Sequence, residues 1–137
     1  LIVKIFIGQP WQFMFPNKYF MESLSQFINK NNIDIYLTHP REDIDIISQQ
    51  LGPDVSLVTC HSSGEDFINK LLVEKDVEIF SIASTLVTGV SDKASIFIVE
   101  SPYTDKEVIR SQENLKETLR SQEYDFKVIS IDATSSI

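Results

Sequence analysis

The stretch Thr38-His39-Pro40-Arg41-Glu42-Asp43 gathers an imidazole, a guanidinium and two carboxylates directly behind an apolar run. Pro40 disfavours helical geometry at His39, so the ring is presented at the end of an extended segment. A neutral imidazole there can donate one N–H to a phosphate oxygen, and a protonated one can neutralise a leaving phosphate. Two more polar clusters follow in the chain. Ser84-Thr85 opens a short helical stretch, where hydroxyls and free backbone N–H groups make a phosphate seat. Glu65, behind Ser62-Ser63-Gly64, can accept two hydrogen bonds from a vicinal diol such as a ribose. Each group also has a plainer reading. Ser62 followed three positions later by Glu65 is a capping-box pattern, Ser84 reads as an N-cap, and a lone strand-end His as a solvated residue.

Such a site needs a scaffold that brings three chain segments to one edge. Residues 1–7 are nearly all apolar, as in a central strand covered on both faces, and Gly8-Gln9-Pro10 ends them. An aromatic loop with Trp11, Phe13, Met14 and Phe15 follows, suited to a site wall, an interface or a flap folded on the core. Asn17 is a good N-cap for a helix with Phe20, Leu24, Phe27 and Ile28 on one face, closed by Asn31-Asn32. Residues 33–38 form the second strand, with Ile33, Ile35 and Leu37 set against Asp34 and Tyr36. A short helix over 43–50 places Ile44, Ile47 and Leu51 inward and stops at Gly52-Pro53. A third strand over 55–59 ends at Cys60-His61, and the next helix turns Phe67, Ile68, Leu71 and Leu72 to the core. The remaining strands are expected at 77–82, 94–99 and 126–131, with a short helix from Ser84 to Gly89. A charged helix over 105–122 carries Val108, Leu115 and Leu119 inward. Strands alternating with helices predict an α/β fold, a doubly wound, mostly parallel Rossmann-like sheet. In such a sheet the three polar strand ends converge on the carboxyl edge, where ligands bind.

Composition sets the outer limits. A chain of 137 residues, 42% hydrophobic and 23% charged, suits one globular domain. Its net charge of −8 argues against a nucleic-acid or anionic-membrane surface, while leaving room for one small basic pocket. Cys60 is the sole cysteine, so no disulfide framework exists, and it reads as a small buried hydrophobe. His39 and His61 are the only histidines and share no metal-ligand spacing. Neither a P-loop nor a G-x-G-x-x-G sequence occurs. No apolar run reaches the roughly 18–20 residues that span a bilayer. Arg-Ser-Gln-Glu recurs at 110–113 and 120–123, one coincidence within a charged helix and not a repeat. Leu1 stands already inside the first strand, which points to a domain excised from a longer protein.

Gly8-Gln9-Pro10 at one strand end and Tyr36-Leu37-Thr38-His39-Pro40-Arg41-Glu42 at the next resemble the bacterial sialyltransferases of glycosyltransferase family 52. Those enzymes make the sialylated ends of lipooligosaccharides and capsular polysaccharides. Related families share a His-Pro motif and a later Ser-Ser or Ser-Thr motif in the C-terminal half of a two-domain GT-B fold. That half binds the CMP part of CMP-sialic acid. The resemblance runs along the whole chain and implies roles for its residues. His39 would contact the donor phosphate and stabilise the leaving group, and Pro40 would shape the wall near the cytosine. Ser63 and Glu65 would hold base and ribose, Ser84 and Thr85 the phosphate, with Gly8 also at the donor site. It further implies inverting transfer without metal or cofactor and a glycan acceptor held mainly by an N-terminal domain. A cytoplasmic location follows, with the inner face of the bacterial membrane as a variant, and homo-oligomerisation stays open. One departure matters. The acidic D/E-D/E-G motif carrying the family's general base is missing, since Gly64-Glu65-Asp66 has its glycine on the wrong side and follows the His-Pro. Residues 1–137 therefore read as the donor-binding domain alone, expected to bind CMP without catalysing transfer. The alternatives are a GT-B half for another nucleotide sugar and a non-catalytic nucleotide-binding α/β module. A receiver-like domain is disfavoured, because Ile7 is followed by Gly8-Gln9-Pro10 where acidic residues should stand.

Overall fold

The computed structural model describes residues 1–14, 17–60 and 63–132, so Phe15, His61 and Ser62 lie outside the described residues. Six strands form one sheet: β1 (Ile2–Ile7), β2 (Ile35–Leu37), β3 (Ser56–Val58), β4 (Asp76–Ser81), β5 (Ser95–Glu100) and β6 (Phe126–Ser130). Five α-helices accompany them: α1 (Trp11–Met14), α2 (Lys18–Lys30), α3 (Ile44–Ser48), α4 (Gly64–Leu72) and α5 (Lys106–Ser121), plus a 3₁₀ turn at Thr85–Gly89. The strand order is β3-β2-β1-β4-β5-β6 and every pairing is parallel. This is the doubly wound order of a Rossmann-like sheet, parallel throughout where the sequence predicts it mostly so.

Alternation along the strands sorts the side chains onto two buried faces. One face carries an aromatic row that follows the register, with Phe6 opposite both Tyr36 and Phe80, and Phe80 opposite Phe97. Phe6 stacks on Tyr36 at 6.0 Å and Phe80 on Phe97 at 4.7 Å. Phe27 of α2 meets Phe6 and Phe80 edge-on, at 6.1 Å in each case, the preferred geometry for rings with negative faces and positive edges. Phe20, Leu24 and Ile28 of α2, Trp11 of α1 and Ile47 of α3 complete that layer. The other face is aliphatic: Ile5, Ile7, Leu37, Ile79, Ile96 and Ile98 lie under Ile68 of α4, Val87, and Leu115 and Leu119 of α5. Tyr36 thus belongs to the core, contrary to the polar-facing position its place beside Asp34 suggests.

Several expected boundaries shift for local reasons. The Ile33 N–H goes to Ile28 O at 3.2 Å, closing the end of α2, so the β2 ladder begins only after it. Within the aromatic segment, Trp11–Met14 is helical and not a loop. Pro10 O accepts from both Phe13 and Met14 N–H, so a proline just ahead of the first turn starts a short helix. Trp11 is buried while Phe13 is exposed. In the five-residue α3 only Ile47 reaches the core, and Ile44 is exposed. Asn17 caps α2 through its side chain, accepting from Tyr19 N–H at 2.8 Å. The recurring Arg-Ser-Gln-Glu is not repeated in structure: Gln112 is buried and donates to Val99 O, whereas Gln122 is the C-cap of α5. Among the described residues no helix is long and apolar enough to cross a membrane.

Candidate functional site

The chain reverses its winding direction between β1 and β4, the central neighbours of the sheet. In open α/β sheets the crevice outside the carboxyl ends of the strands at that reversal is where ligands bind. Here Gln9, after β1, ties the two loops together by accepting from Ala83 N–H, after β4, at 3.0 Å. Beside it the Gly8 N–H donates to Leu37 O at 2.7 Å and draws in the end of β2.

The His39 loop is held from beneath by buried polar groups. Trp11 Nε1–H donates to the Tyr36 hydroxyl at 2.6 Å, and the Tyr36 hydroxyl donates to Glu42 Oε2. The other carboxylate oxygen, Oε1, accepts from His39 N–H at 3.1 Å, while Glu42 N–H donates to His39 O at 3.0 Å. Glu42 therefore grips the His39 backbone at both its donor and its acceptor. Burial pushes the Glu42 carboxyl up to about 7, against the hydrogen bonds from Tyr36 and His39 that favour its ionised form. Burial first, and then the Glu42 charge, drive the Tyr36 phenol far above its ordinary range. Gly8 makes room for this arrangement: a Cβ there would sit 2.8 Å from the Tyr36 hydroxyl and collide with Glu42 Oε1.

The imidazole itself is half-buried. Its Nδ1 accepts from Arg41 N–H at 3.0 Å, which assigns the ring proton to Nε2. Burial and then the Arg41 charge hold His39 below the usual histidine range, so the neutral Nε2–H tautomer dominates at neutral pH. A neutral ring with one committed nitrogen and one donor that has no partner among the described residues is suited to binding an anionic oxygen.

Two clefts meet at His39. The smaller, about 80 Å³, is lined by Ile7, Gly8, Leu37, Thr38, His39, Pro40, Cys60, Gly64, Ser84 and Leu86. The larger, about 560 Å³, runs between α1 and the start of α5, with Gln9, His39 and Arg41 on one wall. Gly8, His39, Pro40 and Ser84 of the expected site are thus brought together. Ser63, Glu65 and Thr85 are not among the lining residues. Ser63 is the N-cap of α4, its Oγ accepting from Glu65 and Asp66 N–H. The helix therefore starts one residue later than the Ser62–Glu65 capping box implies, because Ser63 takes the cap. The Glu65 carboxylate lies over Gly89, where a Cβ would strike it. Thr85 is exposed in the 3₁₀ turn, and Ser84 caps that turn, accepting from Leu86 N–H at 3.3 Å. Cys60 is half-buried at the small cleft instead of deep in the core.

Sequence reasoning named Gln9 and Tyr36 within the stretches it singled out and offered Trp11 as a site wall, but gave none of the three its part in holding the His39 loop. Glu42 stood in the singled-out stretch, but nothing marked it as buried. The available signal was weak, a tyrosine and a glutamate flanking His-Pro with a tryptophan in the preceding loop. Among the described residues no group of three His, Cys, Asp or Glu could hold a metal ion. No protein-family model matches the chain, and no curated protein matches it significantly.

Proposed function

We propose that this chain is the donor-binding domain of a sialyltransferase, taking the CMP part of CMP-sialic acid at the His39 edge. The reading is that of one half of a GT-B enzyme acting on a bacterial lipooligosaccharide or capsular polysaccharide. The observation that supports it most is the committed His39 ring. With Nδ1 occupied by Arg41 N–H, Nε2–H remains as a donor at the junction of the two clefts. That placement suits a phosphate lying between a nucleoside and a sugar. As the glycosidic bond to CMP breaks, charge grows on the phosphate, and a preorganised donor is worth most at that moment. Gly8, Pro40 and Ser84 surround the same point, and the Ser84 hydroxyl proton is available to a second phosphate oxygen. A leaving group held by protein donors needs no metal in this scheme. The acceptor hydroxyl and its general base would come from a second domain, so the chain alone binds the donor without transferring the sugar.

Calorimetric titration with CMP, with UMP as the control, tests the reading. CMP should bind more tightly than UMP, and His39→Ala should weaken CMP binding by about tenfold, the worth of one charge-assisted hydrogen bond. The half-buried ring is not a core element, so the variant should melt within a few degrees of wild type. Unchanged CMP affinity in a folded His39→Ala variant would remove His39 from the site. Equal binding of UMP would move the assignment to another nucleotide sugar.

A further inference from the structure

The hydrogen bonds around the Glu42 carboxyl are complete in one protonation state only. The Tyr36 hydroxyl donates to Oε2 and the His39 N–H to Oε1. The Tyr36 oxygen is itself engaged by Trp11 Nε1–H. Both carboxylate oxygens therefore accept, and a proton arriving on either must displace one of the two donors. The two losses are unequal. Tyr36 is 0% exposed, and its hydroxyl has no other acceptor among the described residues, so displacing it strands a buried donor. His39 is half-buried beside the clefts, where a freed N–H can turn to water. The proton therefore belongs on Oε1, and His39 is the residue let go.

With Oε1 protonated, the hydrogen bond that fixes the His39 N–H is gone. The loop retains Glu42 N–H on His39 O and Gln12 Nε2–H on Arg41 O. The titratable and charged groups around Glu42 are Tyr36, His39, Arg41 and Asp43, while the residues of α1 and α2 that face it are uncharged. Asp43 is exposed and its carboxylate is turned to the cap of α3. Burial places the Glu42 carboxyl at about 7, so the proton exchanges near neutral pH. We propose that Glu42 is the positioning residue of the His39 site: its ionised carboxylate holds the His39 backbone and so aims Nε2–H, and a proton on Oε1 releases the loop and weakens anion binding. The weakening of binding rests on the reading that a phosphate lies at His39. Its sign is diagnostic. Removing a negative charge beside the site would by Coulomb's law strengthen anion binding at low pH. Releasing the loop weakens it.

The test titrates CMP-sialic acid by calorimetry from pH 8 to 6, where its phosphodiester and carboxylate stay ionised, into wild type, Glu42→Gln and Tyr36→Phe. If the released loop binds nothing, wild-type affinity falls about tenfold over that range for a midpoint at about 7. Glu42→Gln has no titrating carboxyl and should give a flat profile. Tyr36→Phe should be flat as well, because Oε2 then takes the proton and Oε1 keeps the His39 N–H. Hydrogen exchange at the His39 amide needs no ligand. Its protection, relative to an unstructured chain, should drop between pH 8 and 6 in wild type and persist in Tyr36→Phe. Both wild-type measurements stand even if a variant does not fold. Affinity that holds or rises towards pH 6, or an amide equally protected at both ends, would overturn the role of Glu42. A wild-type slope in folded Tyr36→Phe would overturn the place of the proton on Oε1. Absence of donor binding at pH 8 would overturn the nucleotide reading and the weakening of binding with it, while the amide separately decides the hold on His39.

Discussion

Replacing Glu42 by Gln should remove a pH dependence of stability that one buried carboxyl creates. In the fold its carboxyl is pushed up to about 7 from an ordinary 4.5, chiefly by burial. Between those values the native state holds more protons than the unfolded chain, so stability must fall as pH rises through that window. At about 1.4 kcal/mol per pH unit, the full effect is on the order of 3 kcal/mol. The glutamine keeps an acceptor for His39 N–H but cannot ionise, and it no longer offers the Tyr36 hydroxyl a carboxylate oxygen. That lost acceptor should cost a pH-independent amount of about 1–3 kcal/mol. Urea unfolding of both proteins at half-unit steps from pH 5 to 8 measures the difference directly. His39 titrates in both proteins and largely cancels. Glu42→Gln should be the weaker protein at pH 5 and should close on or overtake wild type by pH 8. Parallel stability profiles over that range would show that Glu42 is ordinary in its titration and would refute the burial argument.

Other consequences follow from single contacts. Gly8→Ala should lower stability by about 1–3 kcal/mol in denaturant unfolding, because a Cβ would press on Tyr36 and Glu42. Ser63→Ala should cost about 1 kcal/mol through loss of the α4 cap, read as a lower unfolding midpoint with an unchanged m-value. Nitrogen-detected NMR of the His39 ring at pH 7 should show the Nε2–H tautomer and a titration midpoint below 6.5. A midpoint above 6.5 would refute burial and the Arg41 charge as what governs the ring, and an Nδ1–H tautomer would refute the hydrogen bond from Arg41 N–H.

Much of the architecture was legible in the chain. The number of strands and their succession along the chain, the doubly wound class and the capping role of Asn17 follow from apolar periodicity and short-range hydrogen-bond chemistry. These are properties of neighbouring residues and need no knowledge of the fold. The polar edge was legible too, since Pro40 sets the geometry at His39 locally. Sequence also raised the plain alternative for Ser84, and the structure shows that cap. What tertiary packing alone decided is which polar groups meet. Tyr36 reads as the polar side of an alternating strand, yet a sheet covered on both faces buries it in a row with Phe6, Phe80 and Phe97. Glu42 reads as a surface charge, but Trp11, Tyr36 and His39 converge on it from separate segments and hold it out of water. Ser63 and Glu65 stand at the start of α4, beyond the end of β3 as expected, and still turn elsewhere, Glu65 towards Gly89 and Ser63 to its own helix. Local sequence specifies the conformation of a segment; the direction of a side chain across a strand end depends on partners distant in the chain, and only the folded sheet supplies them.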